Sequence, residues 1–128
     1  MRLVSTRHAA PPVSFRDAVL IGLAPDGGLY LPDPLPPIEP GAIVDWQGLS
    51  IPDIAVRVLG HLVGDEFDRQ AFDRLVRDAF NFPAPLVQVA DNLSVLELFH
   101  GPTLAFKDFG ARFLARVFGH LLAERGDH

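Results

Sequence analysis

The stretch "LELFHGPTLAFKDFG", Leu96–Gly110, joins an apolar segment to a helical pattern and carries Lys107, the only lysine in the chain. Leu86–Val89 and the apolar segment Leu93–Phe99 predict two strands joined near Asp91–Asn92. His100–Ala105 predicts a loop, and a helix is expected from about Phe106 to Glu124. A nearly continuous apolar strand is usually covered on both faces, as in a parallel sheet, and ligands collect at the carboxyl ends of such strands. The stretch therefore predicts the beginning of an α/β domain with a candidate site at Lys107.

The predicted last helix is apolar around most of its circumference. Its apolar positions are Phe109, Phe113, Leu114, Val117, Phe118, Leu121 and Leu122, and only Arg112, Arg116, His120 and Ala123 are left as a narrow face for water. A helix of this composition needs neighbours on several sides. Because the other elements are few and short, we expect residues 86–128 to be the truncated opening of a larger domain.

The residues before this domain predict a small, mainly helical unit with short strands. Ser50 and Asp68 stand as N-caps before two apolar stripes at helical spacing, which predict an antiparallel helical hairpin. A shorter helix is expected to begin after Ser14. Two short strands are expected, one at Leu3–Thr6 and one at Leu29–Leu31. The fold class is thus a mixed α+β or α/β chain, with one domain over residues 1–85 and the start of a second over residues 86–128.

The composition limits the class of protein. A formal charge of −5 with scattered arginines argues against a nucleic-acid surface, since such a surface uses a basic stripe to neutralise phosphates. The chain has no cysteine and no apolar run of the roughly 18 residues that cross a bilayer, so neither disulfides nor membrane insertion are expected. The five histidines, which include His128, lack ligand spacing, and no metal site is expected. A cytoplasmic protein is the resulting expectation.

Two chemical roles suit a lysine at this place: phosphate binding and covalent bond formation with a carbonyl group. Gly101 and Lys107 have the spacing of the first glycine and the lysine in the nucleotide-binding signature G-x-x-x-x-G-K-[ST]. Phe106 and Asp108, however, occupy the positions of the second glycine and of the hydroxyl residue. An acid at that position repels phosphate, so this match fails.

Covalent chemistry requires a neutral amine. At the reference pKa only about one lysine in a few thousand is neutral at pH 7, and burial among apolar groups lowers the pKa by as much as about 3–5 pH units. The side chains expected to supply that environment are Phe99, Leu104, Phe106 and Phe109. A negative charge on Asp108 opposes this lowering of the lysine pKa, unless the acid caps the helix or pairs with Arg112. The plain structural alternative is an exposed charge near a helix start, and the lysine alone does not decide between the two.

Several long segments resemble threonine synthases, which are pyridoxal-phosphate enzymes of the type II, tryptophan-synthase-β-like fold. The segment "LELFHGPTLAFKDFGARF", residues 96–113, is similar to the lysine segment of that family nearly letter for letter. Upstream, "VSFRDAVLIGLAPDGGLYLP" at 13–32 and "FNFPAP" at 80–85 are similar to the bacterial and fungal branch. "STRH" at 5–8 resembles the family's S-T-R-G, with His8 in place of glycine.

The resemblance implies a function and a set of site residues. Lys107 is expected to hold pyridoxal 5'-phosphate as an internal aldimine, to exchange it for the amine of O-phospho-L-homoserine, and to move protons while phosphate leaves and water adds to give L-threonine. Such an enzyme is a carbon–oxygen lyase of threonine biosynthesis. Phe106 is expected beside the cofactor ring, and Thr103 and His100 are expected to face the cofactor or the substrate. The alternatives are a related phospho-lyase that uses the same lysine, and a non-catalytic helical interaction module.

The departures from the family pattern limit what this chain is expected to do alone. The family holds the cofactor phosphate in a loop resembling S-G-D-T-G, and no such loop occurs in the 128 residues. We therefore expect the phosphate-binding residues in the remainder of the cofactor domain. By itself the chain is expected to be inactive, to bind the cofactor weakly or not at all, and to self-associate through the last helix.

Overall fold

The computed structural model describes residues 1–126 and contains five α-helices and four short strands over that range. In chain order these are β1 (Leu3–Ser5), α1 (Phe15–Ile21), β2 (Tyr30–Pro32), α2 (Pro40–Val44), α3 (Ile51–Val63), α4 (Arg69–Ala79), β3 (Leu86–Ala90), β4 (Leu93–Leu96) and α5 (Asp108–Arg125). One 3-10 turn, Gly64–Glu66, links α3 to α4. The mixed helical and short-strand fold class is confirmed.

The three predicted helix starts are confirmed at their capping residues. Ser14 accepts the backbone N–H of Asp17 at 3.0 Å, and Ser50 accepts that of Asp53 at 3.3 Å. Asp68 accepts the N–H of Ala71 at 2.9 Å. Each cap satisfies one of the backbone donors that the first turn of a helix leaves unpaired. Because few residue types can do this, these helix starts can be predicted from the sequence.

The core lies between α3, α4 and α5. Val76 of α4 and Val117 of α5 are completely buried, and the cluster is completed by Val63, Phe72, Leu75 and Leu121. Complete burial of a valine or leucine side chain contributes on the order of 1.5–3 kcal/mol. The last helix therefore shares one hydrophobic core with the helical hairpin before it. The division into domains at 1–85 and 86–128 stays a prediction.

Glu66 fixes α1 against the link between α3 and α4. Its two carboxylate oxygens accept the backbone N–H groups of Phe15 and Arg16, each at 3.1 Å. The α-ammonium of Met1 lies 3.0 Å from the same carboxylate. An acid from about 50 residues along the chain thus binds the positive end of α1, where the helix dipole favours a negative charge.

The segment after β1 is fixed to the turn before β2 through Asp26. β1 and β2 pair antiparallel, and the hydroxyl of the fully buried Ser5 donates to Asp26 Oδ1 at 2.7 Å. The backbone N–H of Gly28 donates to the same oxygen at 2.9 Å, and a Cβ at Gly28 would collide with Ser5 Oγ. His8 has a φ of 55°, a left-handed conformation that costs a non-glycine residue about 1–2 kcal/mol and that glycine adopts readily.

The two strands predicted at Leu86–Val89 and Leu93–Phe99 are present, but the parallel, covered arrangement expected for the second strand is wrong. β4 ends at Leu96 and pairs antiparallel with β3 in a hairpin, with Leu86 opposite Leu96 and Val87 opposite Val95. The short connection predicted near Asp91–Asn92 is confirmed, and Asn92 takes a φ of 60° in the turn. Within residues 1–126 this sheet has two strands, and both strands are exposed along their whole length.

The orientation predicted for α5 is also wrong. Arg112 and Arg116 point toward the end of α4, where Arg116 forms an ion pair with Asp78 and Arg112 donates to backbone carbonyls. The His120 ring lies 5.9 Å from the ring of Phe67. The exposed face of α5 instead carries apolar and small side chains, at Ala111, Leu114, Ala115, Phe118 and Gly119. Polar acceptors at the end of α4 attract the arginines, so the apolar face is left outward.

Among the helices of residues 1–126, none is both long and apolar enough to span a membrane. The same residues contain no group of three or more histidine, aspartate or glutamate side chains arranged to hold a metal ion. His128 lies outside the described residues.

Candidate functional site

Lys107 lies at the junction between the loop after β4 and the first turn of α5. Its backbone is helical, with φ −61° and ψ −21°, and its carbonyl oxygen accepts the N–H of Ala111 at 2.9 Å. The side chain is exposed and makes no capping hydrogen bond. The amine is therefore presented to the outside from a backbone that the helix holds in place.

Asp108 directly follows Lys107. Among the described residues it is the one acidic residue with less than a tenth of its surface exposed. It is 4% exposed and accepts two hydrogen bonds from Thr103, from the backbone N–H at 2.8 Å and from the hydroxyl at 2.7 Å. The sequence suggested a helix cap or a pair with Arg112. Neither arrangement is present, because Lys107 and not Asp108 is the N-cap of α5, and Arg112 donates to Ala79, Asp78 and Asn81. Sequence reasoning missed this contact, whose only sequence signal is a threonine five positions before an acid in a glycine- and proline-containing loop.

The apolar enclosure predicted around Lys107 does not form within residues 1–126. Leu104 is 75% exposed, Phe106 is 66% exposed and Phe99 is 50% exposed. Phe109 turns away and packs edge-on against Phe82, with ring centroids 4.7 Å apart. The physical reason is that β4 has no sheet or helix over its faces here, so the loop after it lies on a surface.

Three further side chains were predicted to belong to the site. Phe106 directly precedes Lys107, and its side chain is exposed. Thr103 lies in the same loop, but its hydroxyl proton is donated to Asp108. His100 is bound through Nε2 to Glu97 Oε2 at 2.7 Å, and its ring packs on that of Phe99 at 4.7 Å. The structure thus gathers these three residues and Lys107 on one loop, and their roles stay predictions.

The arrangement is suited to covalent attachment of an aldehyde cofactor and offers only part of a complete site. An exposed primary amine follows the exposed apolar residues Leu104 and Phe106 in the chain, at the positive end of α5. A flat, largely apolar ring with a carbonyl carbon fits such a surface once a second surface covers it. A phosphate needs several backbone N–H groups or a helix N-terminus, and the described residues carry no glycine- and serine-rich loop for it beside Lys107.

Comparison with known proteins agrees with the segments that the sequence analysis singled out. The family model described as "Threonine synthase N terminus" matches residues 2–80. The chain belongs to this family. The match covers the helical unit and ends shortly before β3, and the lysine loop is covered by the relatives described next.

The similarity to whole threonine synthases extends through the lysine loop. The chain is 43% identical over 132 residues to threonine synthase of Pseudomonas aeruginosa, an alignment that covers 99% of this chain and 28% of that protein. It superimposes on the structure of PLP-bound threonine synthase from Brucella melitensis with a TM-score of 0.93 and 47% identity, over 98% of this chain and 28% of that one. The Escherichia coli enzyme gives a TM-score of 0.88 at 40% identity. The chain therefore spans somewhat over a quarter of the length of these relatives.

Proposed function

We propose that this chain forms the N-terminal part of a pyridoxal-phosphate-dependent threonine synthase and supplies its lysine. The observation that carries the proposal is the position of Lys107 on an exposed loop at the start of α5, in a chain that superimposes on a PLP-bound threonine synthase with a TM-score of 0.93. The proposed reaction converts O-phospho-L-homoserine and water to L-threonine and phosphate.

The proposed division of labour follows from the loop. When bound, pyridoxal 5'-phosphate supplies the electron sink for the reaction. Lys107 would hold that cofactor through Nζ and would carry protons on the same atom. Phe106 would pack near the ring, and Thr103 or His100 would face the cofactor or the substrate. An arginine in place of Lys107 cannot do this, because a guanidinium does not form the covalent bond with an aldehyde.

The remaining surface of the site is proposed to come from the rest of the same enzyme. Both faces of the β3–β4 hairpin and one face of α5 carry exposed apolar side chains, and these are the surfaces that a surrounding α/β sheet domain would cover. The same domain would bury Lys107 and bring a phosphate loop to it. Residues 1–126 alone are accordingly expected to be inactive. The expected cytoplasmic location rests on composition and stays a prediction.

Borohydride reduction tests the lysine assignment in the complete enzyme loaded with pyridoxal phosphate. Reduction fixes the cofactor on the amine that holds it, and trypsin followed by mass analysis then locates it. Because Lys107 is the only lysine among these 128 residues, a modified Lys107 blocks the cut after 107 and leaves the labelled peptide 78–112 intact. An unmodified Lys107 gives cleavage at 107. A label found only on peptides that lack Lys107 contradicts the assignment.

Product analysis separates the proposed reaction from the two alternatives. A threonine synthase releases phosphate and forms L-threonine in equal amounts from O-phospho-L-homoserine. A phospho-lyase using the same lysine releases phosphate without threonine, and a helical interaction module gives neither product nor label. Lys107→Ala in the complete enzyme is the matched control, because it removes the amine at an exposed position and leaves the hydrogen bonds between Thr103 and Asp108 in place.

A further inference from the structure

The carboxylate of Asp108 closes the lysine loop onto the first turn of α5. Thr103 donates to both carboxylate oxygens, from its backbone N–H to Oδ2 and from its hydroxyl to Oδ1. A buried carboxylate is costly unless its oxygens are hydrogen-bonded, so two good donors at 2.7 and 2.8 Å make this contact a strong constraint on the loop. We call the pair the Thr103–Asp108 clamp.

Gly101 makes the clamp possible by leaving room for the acid. A Cβ at this position would collide with Asp108 Oδ2 and lie 2.7 Å from the Asp108 Cβ. No L-residue with a side chain fits there without moving the carboxylate. The loop therefore contacts Asp108 from two sides, through the donors of Thr103 and through the bare backbone of Gly101.

The clamp fixes the backbone on both sides of Lys107. On the loop side, the backbone N–H of Leu104 donates to the carbonyl oxygen of Gly101 at 3.0 Å. The backbone N–H of Asp108 donates to the carbonyl oxygen of Ala105 at 3.1 Å. Leu104 takes a φ of 57°, a conformation that costs a non-glycine residue about 1–2 kcal/mol and persists only where surrounding contacts hold it. Lys107 lies between this turn and the helix, so its Cα–Cβ direction is set by contacts that its own side chain does not make.

We infer that Asp108 and Thr103 are positioning residues for Lys107, which set the direction from which its amine reaches the carbonyl carbon of the cofactor. This inference rests on the proposed function. Neither residue needs to touch the cofactor for this role. It gives Thr103 a different task from the one its loop position suggested, because its hydroxyl proton is engaged by Asp108. Displacements of about 1 Å in a reacting group can reduce a rate about 100-fold, so loss of the clamp should act on catalysis more than on binding.

The test uses the complete enzyme and variants on each side of the clamp. Thr103→Val keeps the branched shape and removes the hydroxyl, Thr103→Ser restores the hydroxyl, and Gly101→Ala displaces the carboxylate without altering either partner. We expect Thr103→Val and Gly101→Ala to lower kcat about 10- to 100-fold while KM changes less than about threefold. We also expect them to shift the pH midpoint of the lysine-bound cofactor's absorbance and to slow borohydride trapping at Lys107. Thr103→Ser should return all three properties to within about threefold of the parent.

Thr6→Val serves as the matched control, since the Thr6 hydroxyl oxygen also makes a loop hydrogen bond, accepting from Leu29 N–H at 3.0 Å in the β1–β2 region. It should lower the unfolding midpoint and leave the kcat, the pH midpoint and the trapping rate unchanged. If Thr103→Val behaves like Thr6→Val, the clamp is only structural and the inference is overturned while the proposed function stands. If the parent enzyme takes no label at Lys107, the proposed function fails and the inference fails with it.

Discussion

Arg112 Nε donates to the carbonyl oxygen of Ala79 at 2.9 Å, and this hydrogen bond joins the second turn of α5 to the last residue of α4. The same guanidinium donates to the carbonyl oxygen of Asp78 and to the amide oxygen of Asn81, each at 2.8 Å. The last carbonyls of a helix have no partner within the helix. Arg112 therefore serves as the C-terminal cap of α4 and orients α5, whose N-terminus carries Lys107.

Replacing Arg112 should loosen this junction. We expect Arg112→Ala to lower the free energy of unfolding of the chain by about 1–3 kcal/mol, because it removes charge-assisted hydrogen bonds to three acceptors. Arg112→Lys should recover only part of this loss, since an ammonium does not reproduce the planar fork. Urea unfolding followed by circular dichroism measures both. Arg125→Ala, at an exposed position in the last turn of the same helix, is the control and should cost less than about 0.5 kcal/mol. Equal losses for Arg112→Ala and Arg125→Ala would contradict the capping role.

Gly28 should be intolerant of a side chain. A Cβ there would collide with Ser5 Oγ and lie 3.0 Å from Asp26 Oδ1, and both atoms belong to one partly buried hydrogen bond. We expect Gly28→Ala to destabilise the chain by about 1–3 kcal/mol in thermal or urea unfolding. Gly41→Ala is the matched control, because nothing lies within 4 Å of a Cβ at that position. A Gly28→Ala variant as stable as Gly41→Ala would contradict this prediction, because it would mean that Ser5 and Asp26 can move apart at little cost.

Asp26 should make the stability of the chain depend on pH in the acid range. The hydroxyl of Ser5 is the largest cause that lowers the pKa of Asp26; burial acts in the opposite direction, and backbone N–H groups, including that of Gly28, add to the lowering. A carboxyl whose pKa is lower in the folded chain stabilises it above the unfolded value, near 3.9, and loses that contribution as the pH falls through the folded value. The stability difference between parent and Asp26→Asn should therefore be largest near neutral pH and shrink below about pH 4.

Ser5→Ala provides the complementary measurement for Asp26. It removes the leading donor and should raise the pKa of Asp26, which carboxyl-carbon NMR titration reports directly. An unchanged pKa in Ser5→Ala would contradict the assigned cause. A stability difference for Asp26→Asn that is equally large at pH 2.5 and pH 6 would contradict the linkage.

The part of the fold that sequence predicts is the part decided locally. Ser50 and Asp68 start their helices through contacts three residues away, and the apolar stripes that follow them meet in one core. The direction of Arg112 could not be predicted in this way. A helical stripe shows which residues are apolar but not which neighbour offers hydrogen-bond acceptors, and the end of α4 decided the orientation of α5.

The candidate site shows the same limit. The motif identified Lys107 and its loop, because strand, turn and helix signals are adjacent in sequence. The apolar run at Leu93–Phe99 suggested burial, but an apolar composition does not state what covers a strand, and residues 1–126 leave it exposed. The Thr103–Asp108 clamp could not be predicted, because hydrogen bonds between a loop and an acid five residues later leave no periodic pattern in the sequence.

The exposed apolar face of α5 should drive self-association of this chain in isolation. Leu114 is 52% exposed and Phe118 is 40% exposed, one turn apart on the same face, and small residues between them let another surface approach closely. We expect the weight-average mass in sedimentation experiments to rise with concentration for the parent chain and to stay near the monomer value for the double variant Leu114→Gln, Phe118→Gln. Val44→Gln makes the same kind of change at a side chain of α2 that is 64% exposed, and it should associate like the parent. Association that persists in the double variant would place the contact elsewhere, and a parent chain that is monomeric at every concentration would show that this face alone does not hold two copies together.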